Sequence, residues 1–460
     1  MASPRVIIVA NRLPVRRVKH GSKSVWETSP GGLVTAVEPT LRDTGGSWVG
    51  WPGTSGKAPD PFTLDGIHMV PVPISKAELE NFYEGFSNAL LWPLYHDAIR
   101  PSEIHRRWWW PYVEINRRFA AAAAAELKPG DVCWVHDYQL HLVPQMIREQ
   151  RPDVRIGFFL HIPFPAEELF ARIPWRREIL SGMLGADIIG FQTKLGVKNF
   201  TACVRRYMDV EASGSTFTIH GRKSRAKAYA ISIDVDQFER VAAKEEVATR
   251  RDQIREKMAG DGRKVILGID RLDYTKGIDY RLRAIAEVLR RERFSAADFA
   301  FIQVAVPSRE NVDDYVAMRS QIEELVGRIN GHYGEPGLFP IHYVRRNLAL
   351  DELVAYYRAA DIMLVTPLRD GMNLVAKEYP ATRLDNTGTL ILSEFAGAAH
   401  ELRRAVLVNP FDVDGIATAI ETALTMPAAE SKRRMTAVRA AIRRNTVYDW
   451  AGSFLKDLTA

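Results

Sequence analysis

Two basic residues, Arg271 and Lys276, have the spacing and the setting of a clamp for a diphosphate. They follow the apolar run 264–269, which is typical of a buried strand, and Gly277 ends the turn that carries them. An arginine offers a planar fork of donors and a lysine offers a point charge, and the helix predicted from Ile278 adds its positive end. A lone surface cation is usually only solvated, but this pair favours an anionic ligand.

A second polar turn lies within residues 365–379, between a short apolar run and a stretch of good helix formers. Gly371 marks the turn, and a helix is predicted from Met372 onward. Asp370 lies in the turn, and Glu378 lies two turns into the predicted helix. A strand that runs through a polar turn into a helix directs free backbone N–H groups toward one point, which suits a phosphate or a cluster of sugar hydroxyls.

Polar residues follow predicted strands in both halves of the chain. They are Arg12, Asp137 and His161 in the first half, and Arg271, Lys276, Arg309, Asp370 and Glu378 in the second. In open α/β sheets, ligands bind at the carboxyl ends of the strands. Two such edges that face each other would form a cleft between domains, which is a common place for a ligand. Taken singly, Asp137 and His161 are explained equally well as loop residues that cap local structure.

The elements that must position these residues alternate as strands and helices. Apolar runs predict strands at residues 5–10, 132–135, 156–160, 188–191, 264–269, 299–306, 341–344, 361–364, 389–393 and 406–410. This rhythm predicts an α/β protein with two Rossmann-like halves, each a mostly parallel sheet with helices on its faces. We predict domains at residues 1–234 and 235–440, and a C-terminal helix within 441–460 that packs back on the first domain.

The first hundred residues contain two further features. A helix is predicted from the segment 29–33 to near Arg42, and the glycines at its start, Gly31 and Gly32, permit close approach of the backbone to a ligand. Aromatic residues are dense between positions 80 and 96, and three tryptophans follow at 108–110. Core packing is the better explanation for most of these aromatic residues.

Composition limits the class of protein. A chain of 460 residues exceeds one ordinary core, which predicts two domains. Its 62 basic and 56 acidic residues give a net charge of +6, and no tract concentrates that charge enough to indicate a nucleic-acid partner. Cys133 and Cys203 form neither a disulfide framework nor a metal motif, which fits a reducing, cytoplasmic setting. The N-terminus enters a strand pattern at once, and no apolar run approaches the roughly 20 residues of a membrane span.

Cofactor motifs are missing from the sequence. Neither a Walker P-loop nor a dinucleotide fingerprint occurs. The segment 234–236 has the Asp-x-Asp pattern of a magnesium site in nucleotide-sugar enzymes, but it lies in the predicted crossover between the two halves. We therefore expect Arg271 and Lys276 to neutralise the diphosphate without an obligatory metal, and we expect no other cofactor.

These residues, in this order, resemble the trehalose-6-phosphate synthases, a family of retaining glycosyltransferases. The resemblance extends from the segment 11–14 to the segment 395–398, and its longest motifs lie at 134–138, 158–165, 271–277 and 368–379. Motifs of this length do not recur by chance. The resemblance implies the GT-B fold, in which two Rossmann-like domains face each other across a deep cleft.

The resemblance also implies that the second domain, 235–440, binds a sugar-nucleotide donor. The implied donor-binding residues are Gly31 and Gly32 of the first domain, together with Arg271, Lys276, Leu348, Asp370, Gly371, Met372, Asn373, Leu374, Val375 and Glu378 of the second. Arg271 and Lys276 would hold the diphosphate, and Asp370 the glucose hydroxyls. Glu378 would hold the ribose, and the main chain of Leu348 would meet the base. The implied catalytic set is Arg271, Lys276, Asp370 and His161, with His161 near the transferred glucose.

The first domain, 1–234, would bind glucose 6-phosphate as the acceptor. The implied acceptor-binding residues are Arg12, Trp51, Tyr83, Trp92 and Asp137 of the first domain and Arg309 of the second, with Asp137 on the sugar hydroxyls. The implied partners are these two small molecules, with no nucleic acid and no membrane. The sequence leaves the oligomeric state open, and a homo-oligomer is compatible with it.

The implied reaction moves glucose from a nucleoside diphosphate to the acceptor with retention. Retention usually requires a carboxylate nucleophile, and no paired carboxylates offer themselves here. The family mechanism is a front-face displacement, in which the leaving phosphate takes the proton of the acceptor. Arg271, Lys276 and a helix N-terminus would stabilise the negative charge that builds on the diphosphate.

Proteins with other functions have the same fold. A pseudo-glycosyltransferase that couples a cyclitol nucleotide to an amino-cyclitol phosphate would differ in the acceptor pocket, as would a glucosylglycerol-phosphate synthase. A regulatory homologue that only binds sugar phosphate is disfavoured by the intact diphosphate clamp. The donor base also stays open, because UDP-glucose is usual in the family whereas Arg345 and Arg346 suit the O6/N7 edge of guanine.

Overall fold

The structure, a computed structural model, describes residues 4–20, 23–28, 32–260, 262–307 and 313–460. The chain divides into two compact units. The first unit comprises Met1–Ile231 together with Val447–Ala460, and the second comprises Ser232–Thr446. Among the described residues, no helix is long and apolar enough to cross a membrane.

The first unit contains twelve strands in the described residues. They are β1 (Val6–Arg12), β2 (Val15–His20), β3 (Lys23–Thr28), β4 (Ser47–Trp51), β5 (Phe62–Leu64), β6 (Ile67–Pro71), β7 (Val132–His136), β8 (Arg155–Leu160), β9 (Ile188–Phe191), β10 (Glu211–Ser213), β11 (Thr216–Ile219) and β12 (Arg222–Ala228). The helices before the crossover are α1 (Gly32–Thr44), α2 (Lys76–Glu78), α3 (Trp92–Tyr95), α4 (Trp109–Glu126), α5 (Val143–Gln150), α6 (Glu167–Phe170), α7 (Arg176–Leu184) and α8 (Lys194–Tyr207). A π-helix, Leu79–Leu91, joins α2 to α3.

The large sheet of this unit has the order β10-β11-β12-β9-β8-β7-β1-β4-β6-β5. Its pairs from β12 to β6 are parallel, and the two outer margins pair antiparallel. Strands β1 and β7 are adjacent although they are far apart in sequence, so the strand order reverses between them. That reversal is the topological switch point where α/β folds place ligands. Strands β2 and β3 pair antiparallel and form a separate two-stranded sheet.

The second unit contains six strands in the described residues. They are β13 (Lys264–Arg271), β14 (Phe299–Val306), β15 (Ile341–Val344), β16 (Ile362–Val365), β17 (Thr389–Ser393) and β18 (Val406–Val408). Its helices are α9 (Val235–Ala242), α10 (Glu245–Ala259), α11 (Ile278–Arg290), α12 (Asp313–Tyr333), α13 (Leu350–Ala359), α14 (Val375–Thr382), α15 (Val413–Leu424) and α16 (Ala428–Arg443).

The sheet of the second unit has the order β15-β14-β13-β16-β17-β18, and every pair is parallel. Counted from its first strand this is the order 3-2-1-4-5-6 of Rossmann folds, with the switch point between β13 and β16. Strand β16 is buried along its whole length, as the short apolar run at 361–364 predicts.

The last helix, α17 (Val447–Thr459), belongs to the first unit, where it packs on β8 and β9. The ring of Phe454 stacks on Trp134, with centroids 4.3 Å apart. A side chain at Gly157 or Gly190 would collide with Phe454, so these two glycines provide the space that the helix occupies. The C-terminal end of the chain therefore covers the middle of the first sheet.

Candidate active site

The turn after β13 is held in one conformation by its own polar groups. Asp273, which is fully buried, accepts hydrogen bonds from the backbone N–H (3.0 Å) and the hydroxyl (2.8 Å) of Thr275. Gly277 has a φ of +63° and begins α11. A Cβ there would lie 2.6 Å from the carbonyl oxygen of Thr366, which explains why this position is a glycine. The turn thus fixes Lys276 at the switch point of the second sheet.

A cation, a carboxylate and an amide meet at this switch point. Lys276 Nζ lies 2.5 Å from Oδ2 of Asp370, and Asn373 Nδ2 donates to the same oxygen at 3.1 Å. Most of the surface of both charged side chains is buried, so water screens their attraction weakly. Together these groups can bind a phosphate through the cation, and hydroxyls through the carboxylate and the amide. Arg271 is the last residue of β13, five positions before Lys276, and its side chain is exposed.

The turn that contains Asp370 differs from its prediction. Helix α14 begins at Val375, whereas the sequence predicted a helix from Met372. Asn373 has a φ of +70°, which no residue within an α-helix adopts. The turn packs against Gly397, where any side chain would overlap the carbonyl group of Gly371. This tertiary contact opposes the earlier helix start, so residues 371–373 stay in a turn before α14.

Glu378 lies half-buried on α14 and is oriented by a tyrosine. The hydroxyl of Tyr357 donates to its Oε2 at 2.7 Å. Burial raises the pKa of Glu378, and the hydrogen bond from Tyr357 opposes that rise. One carboxyl oxygen is therefore occupied by the protein, and the group is positioned to accept hydroxyl hydrogens with the other.

A buried charge network lies beneath the turn, and our sequence reasoning missed it. Arg281 on α11 is fully buried and donates to Asp270 (2.7 Å), to Gln303 (2.9 Å) and to the hydroxyl of Thr366 (3.1 Å). Burial raises the pKa of Asp270, and the charge of Arg281 opposes that rise. The network joins three neighbouring strands at the point where β13 enters its turn. A signal was present, because Arg281 lies on the apolar face of α11 with Ile278 and Leu282.

The loop after β15 contains the residues predicted to meet the donor base. Arg346 donates to Glu352 at 2.9 Å, and Arg250 holds the same carboxylate at 2.8 Å. The hydrogen bond from Arg250 lowers the pKa of Glu352. Arg346 is thus engaged by helix α13, whereas Arg345 is exposed and Leu348 is partly exposed.

In the first unit, Arg12 ends β1 above an aromatic ring. Its guanidinium lies 5.1 Å from the ring centre of Trp51, and the indole N–H of Trp51 donates to the carbonyl of Thr54 at 2.9 Å. A side chain at Gly53, where φ is +87°, would overlap the guanidinium. Tyr83 packs 6.5 Å from Trp51. The structure therefore brings three predicted acceptor-binding residues, Arg12, Trp51 and Tyr83, together.

Tyr83 lies on an unusual element. The segment Leu79–Leu91 is a π-helix of 13 residues, a rare conformation that is frequent at functional sites. It continues into α3, whose first residue, Trp92, is buried and packs 5.7 Å from Tyr138. The prediction that this aromatic segment is mostly core is confirmed, because Phe82 and Phe86 are fully buried.

Asp137 follows β7 in a strained conformation. Its φ is +74°, a value that is uncommon for residues other than glycine and that clusters at functional sites. Its backbone N–H donates to the carbonyl of Phe159 at 2.8 Å, and its Oδ1 accepts from the backbone N–H of His161 at 3.2 Å. The strain is offset by these hydrogen bonds, and they join the two predicted residues Asp137 and His161.

The 3₁₀ turn after Asp137 is fixed by neutral buried groups. The hydroxyl of Tyr112 donates to the carbonyl of Tyr138 at 2.8 Å. The amide of Asn116 donates to the carbonyl of Gln139 at 2.9 Å and accepts from the N–H of Leu142 at 3.1 Å. Because every member is paired, the network specifies one loop geometry.

Some predicted residues have no structural test. Gly31 and Arg309 lie outside the described residues, and Gly32 is described only as the first residue of α1. Asp234 accepts from the N–H of Gln237 at 2.9 Å and caps α9, as expected of a crossover residue. Within the described ranges no group of three or more His, Cys, Asp or Glu side chains could hold a metal ion. The expectation that no metal is needed stays a prediction.

Solved structures of similar chains define the class of protein. An alpha,alpha-trehalose-phosphate synthase (UDP-forming) from Burkholderia xenovorans, in complex with glucose-6-phosphate, matches with a TM-score of 0.90 and 35% identity over 99% of this chain and 100% of that chain. The E. coli trehalose-6-phosphate protein bound with UDP-2-fluoro glucose matches with a TM-score of 0.90 and 34% identity over 99% of this chain and 99% of that chain. With its two Rossmann-like units, the chain has the GT-B fold of the glycosyltransferases.

The family model narrows this class. The chain belongs to glycosyltransferase family 20, whose model matches residues 4–460. It is 50% identical to the trehalose-6-phosphate synthase of Mycolicibacterium smegmatis, over 99% of this chain and 92% of that protein. The family resemblance predicted from the sequence is confirmed.

Proposed function

We propose that this chain is a trehalose-6-phosphate synthase, a retaining glucosyltransferase that moves glucose from a nucleoside diphosphate to glucose 6-phosphate. The product is α,α-trehalose 6-phosphate. The observation that carries the proposal is the cluster of Lys276, Asp370 and Asn373 at the switch point of a Rossmann sheet. The similarity to relatives that bear this name across nearly their whole length supports it.

The donor binds to the second unit in this proposal. Arg271 and Lys276 bind the diphosphate, Asp370 and the backbone of 371–374 hold the glucose, and Glu378 holds the ribose. The pairing of Lys276 with Asp370 supports these roles, because a cation beside a carboxylate matches a phosphate beside a sugar hydroxyl. The similar E. coli protein is bound with UDP-2-fluoro glucose, a molecule of this chemical class.

The acceptor binds to the first unit. Arg12 and Arg309 pair with the phosphate, Tyr83 and Trp92 surround the sugar, and Asp137 accepts from its hydroxyls. The guanidinium of Arg12 is held over the ring of Trp51, and a cation positioned in this way favours an anionic partner. The similar B. xenovorans structure contains glucose-6-phosphate.

The chemistry follows from these positions. The bond from the anomeric carbon of the donor to the diphosphate oxygen breaks, and the anomeric hydroxyl oxygen of the acceptor bonds to that carbon on the same face. The hydroxyl proton moves to the departing phosphate oxygen. Lys276 and Arg271 stabilise the negative charge on that phosphate, and positioning of both substrates supplies much of the rate. No enzyme nucleophile and no obligatory metal take part.

We infer that UDP-glucose is the better donor. Arg346, one of the two arginines that favoured guanine, is engaged by Glu352. The similar B. xenovorans protein is UDP-forming. Main-chain contacts from Leu348 would serve uracil without a side chain that reads the base.

Purified protein tests the proposal when it is mixed with glucose 6-phosphate and either UDP-glucose or GDP-glucose. We expect release of the nucleoside diphosphate and a 1,1-linked disaccharide phosphate by NMR, faster with UDP-glucose. Glycerol 3-phosphate replaces the acceptor in a third arm, which reports the glucosylglycerol-phosphate alternative. Absence of the disaccharide with both donors would refute the main proposal, and faster turnover with GDP-glucose would refute the inference on the base.

The role of Arg309 has its own test. Arg309→Ala should raise the KM for glucose 6-phosphate about tenfold or more while the donor KM stays within about twofold, because a charge-assisted phosphate contact is lost. Equal effects on both substrates would show that Arg309 does not belong to the acceptor site.

A further inference from the structure

Two histidines lie in contact at the ends of β7 and β8. Nδ1 of His136 is 3.1 Å from Nε2 of His161, and His136 is only 1% exposed. Burial lowers the pKa of His161 to about 4 and that of His136 well below its ordinary value. Both rings are neutral near pH 7, so a single hydrogen lies between the two nitrogens. One ring donates it and the other accepts it.

The surroundings of His136 decide which ring donates. Its Nε2 is buried and has no hydrogen-bond partner in the described part of the chain, and the same holds for the indole nitrogens of Trp134 and Trp450. The ring of Trp134 lies 4.7 Å from that of His136, and the ring of Trp450 lies 6.0 Å from that of His161. Both indoles are donors only.

A hydrogen on Nε2 of His136 would therefore add a third buried donor to a cluster that contains two unpaired donors. Buried N–H groups without a partner are rarer than under-satisfied acceptors. The favourable arrangement has the hydrogen on Nδ1 of His136, which donates to Nε2 of His161. The second hydrogen of the pair then lies on Nδ1 of His161.

We propose that His136 is a positioning residue that fixes His161 in the Nδ1–H tautomer, so that His161 offers a neutral hydrogen-bond donor to the transferred sugar. This inference rests on the proposed function, in which His161 lies beside the donor glucose. A neutral donor suits that place, because positive charge develops at the anomeric carbon in the oxocarbenium-like transition state and an imidazolium would repel it.

Other contacts hold the backbone and the ring of His161. Its N–H donates to Asp137, and the ring of Phe159 packs against it with centroids 4.7 Å apart. Removal of His136 should therefore leave His161 in place and change only its tautomer and ring rotation. We expect a loss of turnover without a loss of acceptor binding.

Two variants of His136 separate these effects. His136→Leu cannot donate, and it should lower kcat about tenfold to a hundredfold, the usual size of an effect through a supporting hydrogen bond, with both KM values within about twofold. In His136→Asn, Nδ2 takes the place of Nδ1 and can donate, so most of the lost kcat should return. Equal kcat values for the two variants, or a loss confined to KM, would overturn the proposal.

The tautomer itself can be measured on the wild-type protein. In protein with 15N-labelled histidine, the signals of His161 are those that disappear in His161→Gln, and their shifts show which nitrogen carries the hydrogen. We expect Nδ1–H, and Nε2–H would overturn the inference even if His136→Leu failed to fold. Because this measurement needs no substrate, it stands apart from the proposed function, whose failure would be a wild-type protein that makes no disaccharide.

Discussion

All ten tryptophans of the chain lie in the first unit, and none lies in residues 232–446. The candidate site of the first unit is accordingly framed by aromatic rings and neutral hydrogen bonds, with Trp51 under Arg12 and Trp450 beside His161. The second unit frames its site with buried ion pairs. Arg281 and Asp270 have side chains that are 0% and 2% exposed, and the fully buried Lys377 pairs with Glu401 at 3.1 Å.

The difference follows the chemistry that we propose for each unit. A leaving diphosphate gains negative charge during the reaction, and fixed cations in a dry site stabilise it without reorganisation. Such cations must themselves be held by buried partners, because an unpaired buried charge is strongly destabilising. The acceptor does not gain charge in this way, so its phosphate needs only a cation such as Arg12, and neutral donors and rigid rings orient its sugar. We therefore expect that substitutions and acid change the stability and activity of the two units to different extents.

The largest effect is expected at the ion pair of the second unit. Arg281→Met leaves Asp270 buried without its partner, and it should cost about 3–5 kcal/mol of the free energy of unfolding. Hydrogen exchange of peptides from residues 264–306 measures this loss. The double variant Asp270→Asn with Arg281→Met should lose less than the sum of the single changes, because no uncompensated charge remains.

A matched control is available on the same helix. Arg283 is exposed and faces Asp279 at 3.6 Å, so Arg283→Met should change stability by less than about 1 kcal/mol. If Arg281→Met and Arg283→Met had similar effects, the buried network would not be what stabilises this unit.

Lys276→Met should have the next largest effect, on catalysis. It removes a cation that we place on the leaving phosphate, and kcat/KM should fall about 10²–10³-fold, as when one preorganised donor is removed. Steady-state kinetics with UDP-glucose and glucose 6-phosphate measure the loss. Lys264→Met, at the exposed first residue of β13, should leave kcat/KM unchanged. A loss below about threefold for Lys276→Met would remove it from the diphosphate site.

Local patterns predicted the elements that carry the site, but not how those elements are joined. The apolar run of β13, Gly277 and the helix behind it follow from strand, turn and helix signals, and the structure contains all three. The start of α14 could not be predicted, because the contact that delays it comes from Gly397, more than 20 residues away in sequence. Strand order was also inaccessible, since β13 and β16 are neighbours only in the folded sheet.

Buried polar partners were missed for the same reason. Arg281 stands on an apolar helix face, which marks it as unusual, but its partners Asp270 and Gln303 come from two different strands. His136 contacts His161 because the register of β7 against β8 places His136 beside Phe159. The resemblance to a known family supplied the roles of Arg12 and Asp137, which no single pattern distinguished from ordinary loop residues.

Acid should weaken the first unit selectively. His136 and His141 are buried and His161 is partly exposed, and all three have pKa values lowered by burial below the ordinary 6.5, about 3 for His141 and about 4 for His161. The unfolded chain therefore binds protons that the folded unit does not. Stability is fully present above pH 6.5 and is lost as pH falls toward these values, by about 1–2 kcal/mol per histidine between pH 7 and pH 5.

Tryptophan fluorescence during urea unfolding measures this effect, because it reports on the first unit alone. The midpoint should be lower at pH 5 than at pH 7. In the second unit burial lowers the pKa of one histidine, His342, but raises the pKa values of Asp270 and Glu378, so acid removes an unfavourable charge from each of these carboxylates and offsets the effect of the histidine. Hydrogen exchange of peptides from that unit should lose less protection at pH 5. Equal losses of stability at pH 5 in both units would contradict the difference that we infer between them.

The smallest effect is expected at Trp51, whose ring lies against the guanidinium of Arg12. Trp51→Leu removes the ring that lies 5.1 Å below the guanidinium of Arg12, and a contact of this kind contributes about 0.5–1 kcal/mol. The KM for glucose 6-phosphate should therefore rise about twofold to fivefold, while the donor KM stays constant. Trp110, which is 71% exposed, is the matched control, and Trp110→Leu should change neither value. A larger rise in the donor KM than in the acceptor KM would mean that Arg12 and Trp51 hold the nucleotide, and that the aromatic frame of the first unit serves the donor.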